Sequence, residues 1–286
     1  MSIAPERSQL AFRKTERALL KLSAGQDAES VHGFRTTSRR LETLLEEVIP
    51  DRDHHQKKLL KTLEGIRKRA GKVRDLDVQL AALRSLKVPQ EPRRKTQLMH
   101  GLIELRAKHE KKLRKMLDRE TLREIRKRLK RTSREVKGDD SANPLAVART
   151  MLATVGRLAG PVNEQRLHQY RIVVKRARYA AEFAPKSAEA AQFIAQLKHL
   201  QDAVGNWHDW LTLTQTAAKR LGDANQSSLV AALHTVSGSK FRQAVAAVSS
   251  SPTIQTAGKP VTVLPEPSRK PGSKDPTRGA RTETAA

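Results

Sequence analysis

Several residue types and patterns are missing from this chain of 286 residues. It has no cysteine, which excludes disulfides, thiolate metal sites and cysteine nucleophiles. No apolar run reaches the roughly 18 residues that a membrane-spanning helix needs, and the first residues, MSIAPERSQLAFRK, lack the apolar core of a signal peptide. We therefore expect a cytoplasmic protein whose partners do not include a membrane.

Motifs typical of enzymes and cofactor sites are also missing. The sequence has no glycine-rich GxxxxGK phosphate loop, and its histidines are not paired with carboxylates at metal-ligand spacing. A Ser-His-Asp triad cannot be argued from residue order alone. An enzyme acting on phosphoanhydrides would need a metal-binding carboxylate cluster, and we find none. We expect no catalytic residue, no metal, no cofactor and no enzymatic activity.

Aromatic residues make up only 3% of the chain, whereas the formal net charge is +26. This charge exceeds what solubility needs and favours a polyanionic partner. Nucleic acid, an anionic membrane and polyphosphate all fit the charge, and a generally solvated basic surface is the alternative without a partner. Because single-stranded nucleic acids are usually bound by stacking on aromatic side chains, the low aromatic content disfavours that class.

The stretch from about Arg7 to Val248 is typical of helices separated by short breaks. Apolar residues recur every three or four positions, as between Val31 and Val48, which is the period of an amphipathic helix. Strand-like alternation is absent from this stretch. Prolines and glycines predict the breaks; these are Pro50, Pro89, Pro92, Pro144, Pro161, Pro185, Gly71 and Gly205. The pattern predicts an all-α fold of roughly ten helices.

Two segments differ from the helical stretch in composition. Arg131–Pro144 (RTSREVKGDDSANP) is predicted to be a linker. From Ser249 onward Pro, Gly, Ser and Thr dominate, so residues 249–286 are predicted to form a disordered basic tail. The tail holds six Lys/Arg and three Asp/Glu, which leaves +23 of the net charge to the residues before it. The excess charge therefore belongs mainly to the folded domain, residues 6–248.

The sequence contains an internal duplication. Residues 31–40 (VHGFRTTSRR) align with 167–176 (LHQYRIVVKR) at an offset of 136 residues. A second pair, 63–75 (LEGIRKRAGKVRD) and 197–209 (LKHLQDAVGNWHD), aligns at an offset of 134. Two ordered matches at nearly one offset predict two homologous helical bundles related by a pseudo-two-fold axis. The bundles are expected over residues about 6–134 and about 143–248.

Each copy of the first motif places cations on one stripe of a helix. On a helical wheel His32, Arg35 and Arg39 lie within about 60° of each other. The apolar Phe34 and Leu41 lie on a different side. The second motif repeats the stripe with His168, Arg171, Lys175 and Arg178. One cation of each copy falls on the opposite flank; these two are Arg40 and Arg176.

Such a row of donors, spaced by about one helical turn, suits a chain of linked phosphates. Arginine offers a planar fork that can bind two phosphate oxygens, and histidine donates one or two hydrogen bonds depending on its protonation. Two rows, one from each half, could line a groove. The alternatives are a solvated helix face for each row and a buried or capping role for each histidine. The matched Asp75 and Asp209 are expected to orient arginines or cap a helix rather than act in catalysis.

Four segments together resemble the CHAD domain, the conserved histidine α-helical domain: VHGFRTTSRRLETLLEEV, IRKRAGKVRDLDVQLAAL, LHQYRIVVKRARYAAEF and LKHLQDAVGNWHDW. The resemblance covers most of residues 6–248. It implies two similar helical bundles about a pseudo-two-fold axis, a basic central surface and binding of inorganic polyphosphate, in several bacteria at polyphosphate granules. The implied ligands are His32, Arg35, Arg39, Arg40, His168, Arg171, Lys175, Arg176 and Arg178. After Gly205 the sequence departs from the first half, so no role is carried from Arg74 to His208.

Many relatives fuse this domain to a tunnel-fold triphosphatase, whose Glu-x-Glu-x-Lys signature is absent from this chain. We therefore expect a stand-alone module that binds polyphosphate without hydrolysing it, in the cytoplasm and in association with polyphosphate granules. The alternative is a basic helical protein that binds nucleic acid. Weak, non-specific binding of nucleic acid is compatible with either function.

Overall fold

A computed structural model describes residues 5–49, 54–88, 90–136, 143–156 and 162–251. Within these ranges the fold is all-α, as the periodicity predicted, with nine α-helices and no strand. The helices are α1 (Pro5–Ala24), α2 (Ala28–Thr43), α3 (His54–Ser85), α4 (Pro92–Arg114), α5 (Arg119–Glu135), α6 (Pro144–Gly156), α7 (Glu164–Ala181), α8 (Ala188–Leu221) and α9 (Ser228–Ser249). A five-residue π-helical segment, Leu44–Val48, extends α2. None of the described helices has an apolar stretch long enough to cross a membrane.

The helices α2 and α7, which carry the first duplicated motif, begin in the same way. Asp27 caps α2 by accepting hydrogen bonds from the backbone N–H groups of Glu29 and Ser30. Asn163 caps α7 by accepting one from the N–H of Arg166. These short polar side chains satisfy donors that the first turn of a helix leaves free. Asp27 and Asn163 are 136 residues apart, so the duplication extends to the helix starts and sets both basic stripes in the same register.

The two halves pack their helices in the same order. In the first half α1 packs against α2, α2 against α3 and α3 against α4. In the second half α6 packs against α7, α7 against α8 and α8 against α9. The halves meet where α2 contacts α7 and α3 contacts α8, which are equivalent helices. The helix α5 lies against α1 and α3. The repeated order supports two homologous halves, and the pseudo-two-fold axis stays a prediction.

Both apolar cores are built from the two halves together. One cluster contains Phe34 of α2 and Tyr170 of α7, which the helical wheel placed opposite the basic stripes. The other contains Leu83 of α3 and Leu102 of α4 together with Leu233 of α9. All five side chains are buried. Since each cluster draws on both halves, the apolar core continues from one half into the other.

The predicted helix breaks at Gly71 and Gly205 were wrong. The helices α3 and α8 continue through these positions and are 32 and 34 residues long. A glycine inside a helix costs only about 1 kcal/mol relative to alanine, and the packing of such long helices outweighs that cost. A glycine in a helical pattern can therefore have a packing role instead of marking an end.

The prolines mark helix ends wherever the structure describes them. Pro92 and Pro144 begin α4 and α6, and Pro185 lies between α7 and α8. The predicted linker is shorter than expected, because α5 continues to Glu135 and Arg131 forms an i,i+4 ion pair with it at 2.8 Å. The helix α9 ends at Ser249, where the composition changes. The other predictions of breaks, linker and tail fall outside the described residues, at Pro50, Pro89, Pro161, 137–142 and 252–286.

Candidate functional site

A cavity of about 450 Å³ lies where α2, α3, α7 and α8 meet. Both halves contribute to it, because α2 and α3 contact their equivalents α7 and α8 at this point. Six of the nine predicted binding residues line it: His32, Arg35, Arg39, Arg171, Lys175 and Arg176. The structure therefore brings most of both basic stripes to one place.

Arg35 reaches the cavity by lying across α3. Its Nη2 is 3.8 Å from Asp75 Oδ1, and its Nη1 rests on the backbone at Gly71, where a Cβ atom would overlap it. Burial lowers the pKa of Arg35, the Asp75 carboxylate opposes this, and Arg39 and Arg171 lower the pKa further. The glycine at position 71 thus lets the Nη1 end of a guanidinium approach the helix backbone closely at the cavity wall.

Arg171 and Lys175 have less compensation than Arg35. Arg171 Nε is buried and has no hydrogen-bond partner among the described residues. Burial lowers the pKa of Arg171, and the charges of Asp209 and Asp75 oppose this. Burial lowers the pKa of Lys175 to about 8, with Arg171 adding repulsion and Asp209 opposing it. Buried cations without close partners are costly. We call Arg35, Arg171 and Lys175 the central cations; an anion with several oxygens would relieve their repulsion.

The cavity wall is not purely basic. Beside six Lys/Arg it contains five carboxylates, which are Glu42, Glu46, Glu47, Asp75 and Asp209. Glu42 binds Arg67, a buried cation, and also lies 3.1 Å from Arg39 Nη1. Glu47 binds Arg176. These ion pairs occupy Arg39 and Arg176. The carboxylates that oppose the lowered pKa values of the central cations are Asp75 and Asp209.

His32 and His168 occupy matched positions but have different surroundings. His32 lines the cavity, and its pKa is lowered by burial and next by the charge of Arg74. His168 is not part of the cavity wall; its ring centroid is 5.7 Å from that of His208, and burial and then His208 lower its pKa. Arg74 and His208 are 134 residues apart. The departure after Gly205 therefore puts a histidine where the first half has an arginine.

Two predicted binding residues, Arg40 and Arg178, lie outside the cavity and form ion pairs with Glu182. Arg40 Nε is 2.6 Å from Glu182 Oε2, and Arg178 Nη1 is 3.3 Å from Glu182 Oε1. Both guanidinium groups lie over the ring of Tyr179, at 5.7 and 5.1 Å from its centroid. Since Arg40 is on α2, this cluster joins α2 to the end of α7. That Arg40 and Arg178 bind a ligand stays a prediction.

Some cavity residues were not predicted as ligands from the sequence. Arg74 lines the wall, and its position directly before the matched Asp75 was an available signal. Arg67 is buried behind the wall, with Nη1 3.2 Å from Ser38 Oγ. Nothing in the sequence separates it from the neighbouring lysines and arginines of α3. Asp75 lies inside α3 beside Arg35, which fits an orienting role and not a cap.

A second depression is larger and more open. It measures about 740 Å³, lies between α4 and the end of α8, and includes Arg93, His100 and Arg220. It contains none of the predicted binding residues. Across the described part of the chain, no group of three or more His, Asp or Glu side chains is placed to hold a metal ion.

Comparison with known proteins identifies the fold family. The CHAD domain model matches residues 7–218, about three quarters of the chain. This chain belongs to the CHAD domain family. A solved structure, the CHAD domain from the plant Ricinus communis, is similar to this CHAD protein at a TM-score of 0.61 and 18% identity, covering 88% of this chain and 89% of that one. At this identity the likeness shows the fold alone. No curated protein matches the chain.

Proposed function

We propose that this CHAD protein binds inorganic polyphosphate in the cavity, without cleaving it. The CHAD family is associated with polyphosphate binding in general. The observation that carries the proposal is the convergence of the central cations from both halves, with Arg171 Nε buried and lacking a hydrogen-bond partner among the described residues. Phosphate oxygens suit the planar fork of arginine and the point charge of lysine.

Binding without cleavage is supported by the state of the carboxylates. Metal-assisted cleavage of a phosphoanhydride needs carboxylates free to hold metal ions beside the reacting phosphate. In this cavity Glu42 and Glu47 bind arginines, and Asp75 lies beside Arg35. These contacts favour a site that holds the chain over one that hydrolyses it. With polyphosphate as ligand, we propose a cytoplasmic location and association with polyphosphate granules.

Nucleic acid is the competing polyanion. Tyr179 is the one Phe, Tyr or Trp side chain on the cavity wall, and it is buried under Arg40 and Arg178. The wall therefore offers a base no open Phe, Tyr or Trp ring, whereas single-strand binders use such rings for stacking. Duplex binding through charge alone would be weak and strongly dependent on salt.

Competition binding at one fixed salt concentration tests the proposal. Long-chain polyphosphate is made to compete with duplex and single-stranded DNA for binding to the wild type and to the cavity variant Arg35→Ala/Arg171→Ala. The control variant is Arg123→Ala/Lys127→Ala, which removes two exposed cations of α5. We expect polyphosphate to be preferred by orders of magnitude. The cavity variant should lose about 100-fold in affinity, since each charged hydrogen bond contributes roughly 1.5–3 kcal/mol.

Two results would contradict the proposed function. Equal competition by DNA would show generic charge binding, and an unchanged affinity of the cavity variant would place the site elsewhere. A parallel assay of phosphate release with magnesium or manganese tests the absence of cleavage. Release by the wild type that the cavity variant loses would make the protein a hydrolase.

A further inference from the structure

The duplication allows the exposed faces of α3 and α8 to be compared position by position. Four exposed lysines follow one face of α3; they are Lys57, Lys61, Lys68 and Lys72. At the offset of 134 residues, the matched positions of α8 hold Ala191, Ala195, Asp202 and Asn206, all of them exposed. The duplicated core and cavity residues therefore do not require these lysines. The net positive charge of this face belongs to the first half, because α8 carries Lys198 and Asp202 there, whereas α3 carries the four lysines and Glu64.

The four lysines lie along one line of α3, with Glu64 between Lys61 and Lys68, and we call them the lysine stripe. At 100° per residue they lie within about 60° of each other, and at 1.5 Å per residue they span about 22 Å along α3. Lys68 Nζ is 2.8 Å from Glu64 Oε1. The other three lysines have no ion pair among the described residues. Most of the charge of the stripe is therefore available to a partner.

The lysine stripe is continuous with the cavity. Its end at Lys72 is three residues before Asp75, which lines the cavity wall and lies about 60° from Lys72 around α3. Farther along the stripe, the pKa of Glu64 is lowered first by its hydrogen bond and ion pair with Lys68, then by Arg67 and by the cavity residue Arg39. A chain that leaves the cavity on this side of α3 therefore meets the stripe.

The helix α4 adds positive charge at the Lys72 end. Burial lowers the pKa of His109, and the charges of Lys72, Lys112, Arg69 and Lys108 lower it further, in that order. Cations of α3 and α4 thus face the same point of the surface. This excess of one sign at the Lys72 end of the stripe attracts anions to the first half.

We propose that the lysine stripe is a second binding surface for the same linear phosphate chain, contacted by chains that extend beyond the cavity. The inference rests on the proposed function. A solvated face is the ordinary reason for a row of lysines, but such a face would not stop at one half of a duplication and adjoin the binding cavity. Lysines act as flexible point charges, so the stripe adds affinity with chain length and does not fix the register of the chain.

A triple variant, Lys57→Gln/Lys61→Gln/Lys72→Gln, tests the stripe in the full chain. Its affinities for tripolyphosphate and for long-chain polyphosphate are measured at several salt concentrations. We expect the tripolyphosphate affinity to stay within about twofold of wild type, because that ligand fits inside the cavity. The long-chain affinity should fall about tenfold, and its logarithmic salt dependence should become shallower by about two to three, one for each lost phosphate contact.

A matched control is Arg123→Gln/Lys127→Gln/Lys130→Gln, which removes the same charge from exposed positions of α5. We expect it to bind both ligands nearly as the wild type does. If the two triple variants weakened long-chain binding equally, the loss would be due to net charge and not to the position of the lysines, and the inference would be overturned. If the α3 variant bound long chains as tightly as the wild type, the inference would also be overturned, but the proposed function would not be affected. A wild type that bound neither ligand would overturn both.

Discussion

At the scale of single residues, Lys175 shows the energetic cost of burying a cation among other cations. Its burial lowers the pKa to about 8, and Arg171, Arg35 and Arg39 repel its charge, while Asp209 attracts it. A lysine in water has a pKa of about 10.4. At neutral pH the amine still carries its proton, so the free site holds a charge that its surroundings disfavour. A bound phosphate would favour the charged amine and raise this pKa again.

We predict that the affinity for polyphosphate falls as pH rises from about 7 to 9. Below pH 8 the free protein already has a protonated Lys175. Above it, binding must take up a proton, which costs affinity with each further pH unit. His32, whose pKa lies below its usual 6.5, should add affinity only in more acidic solution. Calorimetric titration at several pH values, in buffers of different ionisation enthalpy, measures both the affinity and the proton uptake.

Lys175→Arg is the matched control, because arginine keeps its charge throughout this range. The variant should bind with a weaker pH dependence between pH 8 and 9. A wild-type affinity that stays constant from pH 7 to 9 would contradict a direct contact between Lys175 and the ligand.

The sequence predicted which cations converge but not which of them are free. Arg35, Arg171 and Lys175 were predicted because they recur on matched stripes of a duplication. Arg40 and Arg178 carry the same kind of side chain, yet both bind Glu182. A helical wheel gives a direction around one helix, whereas the pairing of Arg40 with Glu182 depends on the neighbouring helix. The i,i+4 spacing of Arg178 and Glu182 was an available signal in the sequence.

At the scale of helices, Gly71 and Gly205 allow the two halves to be compared at one matched position. Both lie inside long helices at matched positions. A Cβ at Gly71 would overlap Arg35 Nη1, whereas a Cβ at Gly205 would meet nothing within 4 Å. The first glycine therefore has a positioning role that the second does not share. The sequence showed the pair but not the difference, because the approach of Arg35 depends on how α2 packs on α3.

We predict that Gly71→Ala lowers polyphosphate affinity several-fold without lowering stability. The guanidinium at the end of a flexible side chain moves away from the new methyl group, and alanine favours a helix over glycine by about 1 kcal/mol. Gly205→Ala should gain the same stability and keep the wild-type affinity. Urea denaturation and polyphosphate titration of both variants separate the two effects. Wild-type affinity in Gly71→Ala would show that Arg35 does not need this position.

Helix ends were less predictable than helix positions. Periodicity located the segments, but α5 extends five residues into the predicted linker. The π-helical segment after α2 was not anticipated either. It buries Leu44, Leu45 and Val48 together, and a π turn differs from an α turn by only one residue in its hydrogen bonding. Such a local change leaves no separate mark in an apolar pattern.

At the scale of the whole molecule, the two halves share their apolar cores. Each apolar cluster contains residues of both halves, so a single half would expose a large part of its core to water. We predict that residues 1–136 or 143–286 alone show no cooperative thermal transition by circular dichroism. Mixing the two fragments should restore helicity and a cooperative transition. A fragment that melts cooperatively as a monomer, shown by sedimentation, would contradict this.

The shared core also bears on the origin of the chain. An ancestral single half with these apolar faces would have needed a second copy to cover them, as subunits do in a symmetric homodimer. Joining the copies in one polypeptide makes their pairing independent of protein concentration. It also removes a constraint, because the subunits of a homodimer must carry identical side chains. Only after such a fusion can α3 carry four lysines where the equivalent helix carries none.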